Sequence, residues 1–276
     1  MTLTHQPDPG SSPATGATSA SAVASTTSAG PAWADPELRD PHGHGRKAEK
    51  VRRMFAAIAG SYDLNNRVHS LGRDQAWRRF AVKAADVREG ERVLDVACGT
   101  GDLTQAFADS PAATVVGLDF THEMLVVAQQ KRRTHKAGGK VTYLEGDAMR
   151  LPFADASFDV VSIAFGIRNV SEPMKALREF FRVLKPGGRV VILEFERPRF
   201  PIARWLNDFY CARIMPITAT AIARDTSGAY KYLPASVSTF MDRAKMAGAL
   251  AEAGFADIKQ RGLTLGICVC SWARKA

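Results

Sequence analysis

The sequence predicts an α/β fold: a doubly wound, mostly parallel sheet with a C-terminal antiparallel edge hairpin. Three observations carry that expectation. Between residues 92 and 195, short β-branched runs alternate with helical stretches, the pattern that a parallel sheet with crossover helices produces. Beyond residue 253 the alternation gives way to two strand-like runs, 255–259 and 263–269, near enough to pair antiparallel. The chain has 276 residues, 46% hydrophobic and 24% charged, enough for a sizeable core and too ordinary for a coiled coil or a wholly disordered chain.

Residues 1–45 are rich in Ala, Ser, Thr and Pro and hold only isolated large apolar side chains such as Leu3, Val23, Trp33 and Leu38. So little apolar surface cannot offset the entropy of ordering, and a disordered tail is expected there. One domain then covers 46–276. From Lys47 a helical period places Val51, Met54, Phe55 and Ile58 on one face, and the run Tyr62-Asp63-Leu64-Asn65-Asn66 reads as the helix end and a turn. A second amphipathic stretch, 74–85, carries Trp77, Phe80 and Val82. Strands are expected at 92–97, 114–118, 141–144, 158–165 and 189–195, with helices at 103–108, 122–133 and 173–184 and a turn at Lys185-Pro186-Gly187-Gly188. Residues 201–253 read as mostly helical, broken at Pro216 and Pro234. Segments 46–90 and 197–250 are therefore additions to the sheet, a helical lid and a helical insertion, and such additions build ligand sites over strand carboxyl ends.

With 37 Lys and Arg against 28 Asp and Glu, the formal charge is +9, which favours anionic partners. Cys98, Cys211, Cys268 and Cys270 lack zinc-knuckle spacing and are too few for a disulfide framework, so free thiols and no metal are expected, as in a reducing cytoplasm. Neither a secretory signal nor an apolar run of membrane-spanning length is visible, and a cytoplasmic protein is expected.

The strongest motif is Val93-Leu94-Asp95-Val96-Ala97-Cys98-Gly99-Thr100-Gly101-Asp102. A strand feeds a turn in which Gly99 and Gly101 let the backbone approach a ligand, and a helix follows directly. A dinucleotide fingerprint needs a third glycine at position 104, which is Thr104. Asp95 would repel a pyrophosphate and suits a ligand carrying positive charge. Asp119 ends the second strand 18 residues beyond Gly101, near the spacing at which a carboxylate grips ribose hydroxyls. Asp147 follows the third strand in Gly146-Asp147-Ala148. Either acid alone would read as a helix cap, whereas three acids at the ends of successive strands point to a nucleotide-type site.

Leu94 to Asp102, Gly117-Leu118-Asp119-Phe120, Gly146-Asp147-Ala148 and Leu151-Pro152-Phe153 resemble the S-adenosylmethionine-dependent methyltransferases of the Rossmann-like class. More narrowly, Phe165-Gly166-Ile167-Arg168-Asn169-Val170, Arg182-Val183-Leu184-Lys185-Pro186-Gly187-Gly188 and Leu193-Glu194-Phe195 resemble the ubiquinone/menaquinone biosynthesis C-methyltransferases. The likeness runs from about residue 46 to the C-terminus. It departs from the family at Ala164, where many members have Ser, at Phe120-Thr121, and at Gly262-Leu263-Thr264-Leu265-Gly266-Ile267.

The resemblance implies S-adenosyl-L-methionine as methyl donor and a prenylated quinol as acceptor, demethylmenaquinol becoming menaquinol, with the benzoquinol counterpart left open. It places Asp95 near the cationic end of the donor, Gly99, Thr100 and Gly101 in the turn around it, Asp119 on the ribose, and Asp147 with Ala148 on the adenine edge. Arg168 and Asn169 are the candidates at the quinol: an arginine stays charged, so it stabilises a developing phenolate or orients a water and does not act as a base. The alternative for Arg168 is a surface ion pair with Glu172. Tyr62 and Asn65 of the lid are candidate substrate-binding residues. His69 and His122 are left out as ordinary helical histidines.

The competing reading is a methyltransferase for RNA or another small molecule. No Asn-Pro-Pro-Tyr or Asp-Pro-Pro-Tyr follows the fourth strand, no Pro-Cys or Thr-Cys pair supplies a nucleophile for a base, and the basic residues form no aromatic-interleaved stripe, so no nucleic-acid partner is expected. A prenylated acceptor lives in the bilayer. The segment 200–215, with Phe200, Ile202, Trp205, Leu206, Phe209 and Tyr210 among Arg199, Arg204 and Arg213, therefore suits peripheral contact with an anionic membrane, or else lines the protein's own core.

Overall fold

The computed structural model describes residues 1–2, 32–33, 35–43, 45–223 and 228–276. Five parallel strands form along β-branched runs: β1 (Arg92–Val96), β2 (Thr114–Asp119), β3 (Val141–Glu145), β4 (Phe158–Ala164) and β5 (Leu184–Phe195); all but the edge strand β3 are largely buried on both faces. With β6 (Phe255–Leu263) and β7 (Cys268–Lys275) they make one seven-stranded sheet in the order β3-β2-β1-β4-β5-β7-β6. Strand β7 runs antiparallel to both β5 and β6. The edge hairpin is present, but the expected second strand at 263–269 contains its turn, Thr264–Gly266. Alternating Leu263, Leu265 and Ile267 mimics a strand, while Thr264, Leu265 and Gly266 all take left-handed backbone angles. The expected turn at 185–188 is instead an irregularity inside β5, opposite Phe158 and Val160.

Helices α3 (Arg73–Ala85) and α4 (Asp102–Ala108) cover one sheet face, packing Trp77, Leu103 and Phe107 on Val93, Val115, Val160 and Val191. Helices α6 (Pro173–Val183) and α10 (Arg243–Glu252) cover the other, packing Leu177, Phe180 and Leu250 on Leu94, Val161 and Ile163. A third apolar cluster lies over the strand carboxyl ends. It joins α1 (Lys47–Ile58), α5 (His122–Thr134), α8 (Met215–Ala223) and α9 (Ala229–Thr239) through Val51, Met54, Met124, Met215 and Tyr232.

Three expectations are corrected here. Residues 62–66 form no turn but open a helix, α2 (Tyr62–His69), because tertiary contacts override the turn preference of the paired asparagines. Asn65 is buried and donates to Ser61 O at 3.3 Å, and Asp63 is held by Thr100 and Lys131. Pro216 and Pro234 do not break the helical region. Pro216 follows a π-turn over Tyr210–Ile214 after α7 (Pro201–Phe209), and Pro234 sits inside α9. The disordered tail expected over 1–45 lies mostly outside the described residues, but 32–33 and 35–43 pack on the domain. Trp33 is 2% exposed and stacks on Tyr232 at 4.7 Å between ring centroids, a single aromatic whose partner lies 199 residues away and so leaves no local period.

Lys47 is buried and donates to the carbonyls of Arg168 at 2.8 Å and Val170 at 2.7 Å, tying the start of α1 to the end of β4. Burial, with Arg168 beside it, lowers its ammonium from 10.5 to about 8.

Two outcomes follow from these tethers. Trp33→Ala should lower stability in urea unfolding by about 3 kcal/mol, as expected for a buried tryptophan truncated to alanine, and a change within error would show that the ring does not pack. The unfolded chain keeps the Lys47 proton up to about pH 10.5 while the folded protein loses it near 8, so between those values the unfolded state binds more protons and this group's contribution to stability rises with pH. The stability difference between wild type and Lys47→Met should therefore move in favour of wild type across that window; a flat difference would place the ammonium in solvent.

Candidate active site

A cavity of roughly 750 Å³, counting its mouth, opens where the carboxyl ends of β1, β2 and β4 meet α1 and α2. Ala97 and Phe165, just past β1 and β4, line it and take left-handed backbone angles of φ 50° and 58°, a conformation that non-glycine residues adopt only where the surroundings impose it.

The turn after β1 is held by Asp119. Its carboxylate accepts the Gly99 amide at 2.8 Å and the Thr121 amide at 2.9 Å, which presets its orientation while leaving lone pairs for a ligand. Burial raises its pKa above the ordinary carboxylate value. Gly99 has φ 55° and open space where a Cβ would sit, so backbone conformation alone asks for glycine. Gly101, at φ 83°, meets the same demand and a second one: a Cβ there would run into the Tyr143 side chain, which packs beneath the turn. On the cavity wall Asp147 accepts the Met149 amide at 2.9 Å, and Ala148 lies beside it. Ala164 also reaches the wall.

The structure thus brings Gly99, Asp119, Asp147, Ala148, Asn169 and Tyr62 to one cavity. Five expected residues stand behind the wall. Asp95 is 1% exposed, and its carboxylate accepts Thr104 Oγ1 at 2.6 Å and Ser162 Oγ at 2.8 Å, cross-linking β1, α4 and β4. Burial raises its pKa to about 6, and no part of it faces the cavity where a positive ligand was expected. Thr100 donates to Asp63 at 2.5 Å and holds α2 down, Gly101 accommodates Tyr143, and Asn65 braces its own helix.

Arg168 is corrected most. It is buried, and its partner is not Glu172 but Glu194 of β5, at 2.7 Å. The same guanidinium nitrogen donates to Phe165 O at 2.6 Å, and the group lies over the Phe195 ring. Asn169, which does reach the cavity, donates to Phe165 O at 3.2 Å and accepts Tyr232 Oη–H at 3.0 Å. Arg168 and Asn169 thus share the Phe165 carbonyl, Arg168 from behind the wall and Asn169 on it. Tyr62 lines the cavity edge-on to Phe55, and burial pushes its phenol above the ordinary value, so it carries its proton at neutral pH.

Two groups escape the sequence reading. Glu194 left a signal, a carboxylate inside the apolar run 190–195, which needs a buried cation as partner. Lys47 left none, since its acceptors are backbone carbonyls more than 120 residues away. A second cluster fastens the lid. Lys131 bridges Asp63, at 2.7 Å, and Asp102, which also takes Arg67 at 3.2 Å and Gln75 at 3.0 Å. Among the described residues no group of three or more His, Cys, Asp or Glu is placed to hold a metal, and no helix is long and apolar enough to cross a membrane.

Residues 44–275 match the model of the ubiE/COQ5 methyltransferase family. The chain is 44% identical over 223 residues to a ubiquinone/menaquinone biosynthesis C-methyltransferase UbiE of Geobacter sp. (strain M21), covering 80% of this chain and 94% of that relative. It is 42% identical over 230 residues to a demethylmenaquinone methyltransferase of Paenarthrobacter aurescens (strain TC1), covering 83% and 88%. A solved S-adenosylmethionine-dependent methyltransferase of Thermotoga maritima shares the fold with a TM-score of 0.58 at 19% identity, over 82% of this chain and 100% of its own. A family match over nearly all of the sheet, lid and insertion, on a cavity set at the strand carboxyl ends, means that the chain belongs to the ubiE/COQ5 methyltransferase family.

Proposed function

We propose that the protein transfers the methyl group of S-adenosyl-L-methionine to a ring carbon of demethylmenaquinol, the ring hydrogen leaving as a proton and the donor as S-adenosylhomocysteine, to give menaquinol, and that it meets this acceptor at a membrane surface. One observation carries the reading: a single cavity has Asp119 and Asp147 on its β2–β3 side and Asn169 on its β4 side, with β1 and its glycine turn between them.

The acidic side suits the donor. Asp119, preset by two amides, fits a ribose diol, Asp147 and Ala148 fit an adenine edge, and Leu118, Phe120, Met124 and Met149 supply an apolar wall for the base. When bound there, the donor supplies a methyl group already made electrophilic by its positive sulfur. The chain's task is to make the ring carbon electron-rich and to hold it in line. Asn169, its amide fixed by Phe165 O and Tyr232, is placed to hydrogen-bond a quinol hydroxyl, and Tyr62 can donate a second bond. Behind Asn169 lie two cations, Lys47 and Arg168, with Glu194 paired to Arg168 and Asp40 also acting on Lys47, and the cations favour a hydroxyl giving up its proton. The naphthoquinol acceptor rests on the name of the Paenarthrobacter aurescens relative and on the aromatic walls at Phe55, Phe120 and Phe165.

Asp119→Ala should weaken S-adenosylmethionine binding in calorimetry by about 1–3 kcal/mol, through loss of a charge-assisted hydrogen bond. Unchanged affinity would remove Asp119 from the site. In a strain lacking the gene, mass spectrometry of the quinone pool should show demethylmenaquinone accumulating; a demethylated benzoquinone in its place would reassign the acceptor.

A further inference from the structure

We propose that α7, the π-turn after it, the start of α8 and the outer side of α2 form one apolar face on which the protein docks to an anionic bilayer. The proposed acceptor supplies the reason to dock there, whereas the face itself stands on exposure and charge. No residue of α7 is buried. Ile202, Trp205, Leu206 and Phe209 recur at helical spacing and are 50–77% exposed, and Phe200 precedes them at 67%. The stripe continues at Ile214, the end of the π-turn, and at Ile217 of α8.

A second part comes from 130 residues earlier in the chain. Leu64, Val68 and Leu71 lie four and three residues apart on and just beyond α2, and all are exposed, Leu71 at 89%. Helix α2 packs on α8, and His69 Nδ1 meets Tyr210 Oη at 2.6 Å, which joins the two parts at the π-turn. The other side of α2 carries Tyr62 to the cavity wall and Asp63 to Thr100. One helix thus has the candidate site on one side and this face on the other.

Charge selects the occupant. Residues 197–223 hold Arg197, Arg199, Arg204 and Arg213 against the single acid Asp208. Arg197 pairs with Asp208 and Arg199 with Glu196, while Arg204 donates to the Pro198 carbonyl at 2.9 Å and Arg213 is exposed. Aromatic groups flanked by arginines match an interface of acyl chains below anionic headgroups. A second copy pressed on the same face would set this excess of positive charge against itself.

The test is co-sedimentation of the full chain, without acceptor, with phosphatidylcholine vesicles that contain or lack phosphatidylglycerol. Binding is expected only with phosphatidylglycerol and should weaken with salt. Trp205→Ala with Phe209→Ala, and separately Leu71→Asp, should each lower it by roughly tenfold with unchanged melting temperatures, since all three side chains face solvent. No binding, or binding untouched by both variants, overturns the proposal. So does a concentration-dependent dimer in sedimentation velocity that the Trp205/Phe209 variant dissolves, which would make the face a contact between copies. Turnover of a short-chain soluble quinol should be the same in wild type and the Trp205/Phe209 variant. Absence of that turnover in wild type alongside intact vesicle binding would overturn the acceptor and leave the docking face standing.

Discussion

Everything around the β4 side of the cavity depends on one buried ion pair, Arg168 with Glu194. Both side chains are almost fully out of solvent. Such a pair persists only when its remaining donors and acceptors are satisfied, and removing one partner costs about 3–5 kcal/mol because the other charge is left buried alone. The structure meets that condition. Arg168 also donates to Phe165 O, and Glu194 also accepts the amides of Phe195, at 2.8 Å, and Arg168, at 3.4 Å. With its carbonyl held, Phe165 can keep a left-handed backbone angle, and Asn169 is turned toward the cavity. Lys47 and Tyr232 then reach the same few residues from α1 and α9. The N-terminal helix, the insertion and the sheet are thereby tied to the same short turn.

The β1 side is fixed differently. There the glycine turn is closed by Asp119 from above and carried by Asp95 from below, each consuming hydroxyls or amides. The lid is attached to this turn by charges on partly exposed groups, Lys131 and Arg67 on Asp63 and Asp102. Exposed pairs of that kind contribute little singly. Burial lends this cluster weight at Asp102, whose carboxyl sits below its ordinary value because Lys131 and Arg78 outweigh desolvation. The two attachments therefore differ in strength: the β4 turn is locked by buried groups, whereas α2 is held by a network that salt and water can reach.

That difference also explains what was legible in the sequence. The parallel strands, the glycine turn, Asp119 and Asp147 were readable because their signals are local: a strand, a turn and an acid within a few residues. Thr100 does lie in the turn, whereas Asp95, read into it, lies within β1, and both were given ligands because a sequence does not say on which side of a strand end a polar group finds its partners. Arg168 was read as a group at the quinol, with the nearest acid along the chain as its alternative partner, but β5 brings Glu194 in from 26 residues away and buries the pair. Helix α2 was hidden by the turn preference of Asn65-Asn66, and the packing of Trp33 by partners in α1 and α9 that no period along the chain reveals. Non-local contacts account for each of these departures.

The two sides of the cavity carry opposite electrostatics, and their separation follows from strand order. Strand β2 ends in Asp119 and the turn after β3 holds Asp147, while the turn after β4 is backed by Lys47 and Arg168, with Glu194 paired to Arg168 and Asp40 acting on Lys47. Strand β1, which lies between β2 and β4, contributes Asp95, but its carboxylate is spent on Thr104 and Ser162. A cation is thus favoured at one end and an anion at the other, with an apolar wall including Phe55, Leu118, Phe120 and Phe165 around them. Methyl transfer from a positive sulfur to a phenolate-like ring neutralises both charges as it proceeds. An apolar medium would stabilise separated ions poorly, and it favours the state in which they have partly cancelled. In the proposed reading the acids of one wall hold the neutral ribose and base, the cations behind Asn169 favour the anion, and the low-dielectric middle is where the cancellation of sulfonium and phenolate gains most.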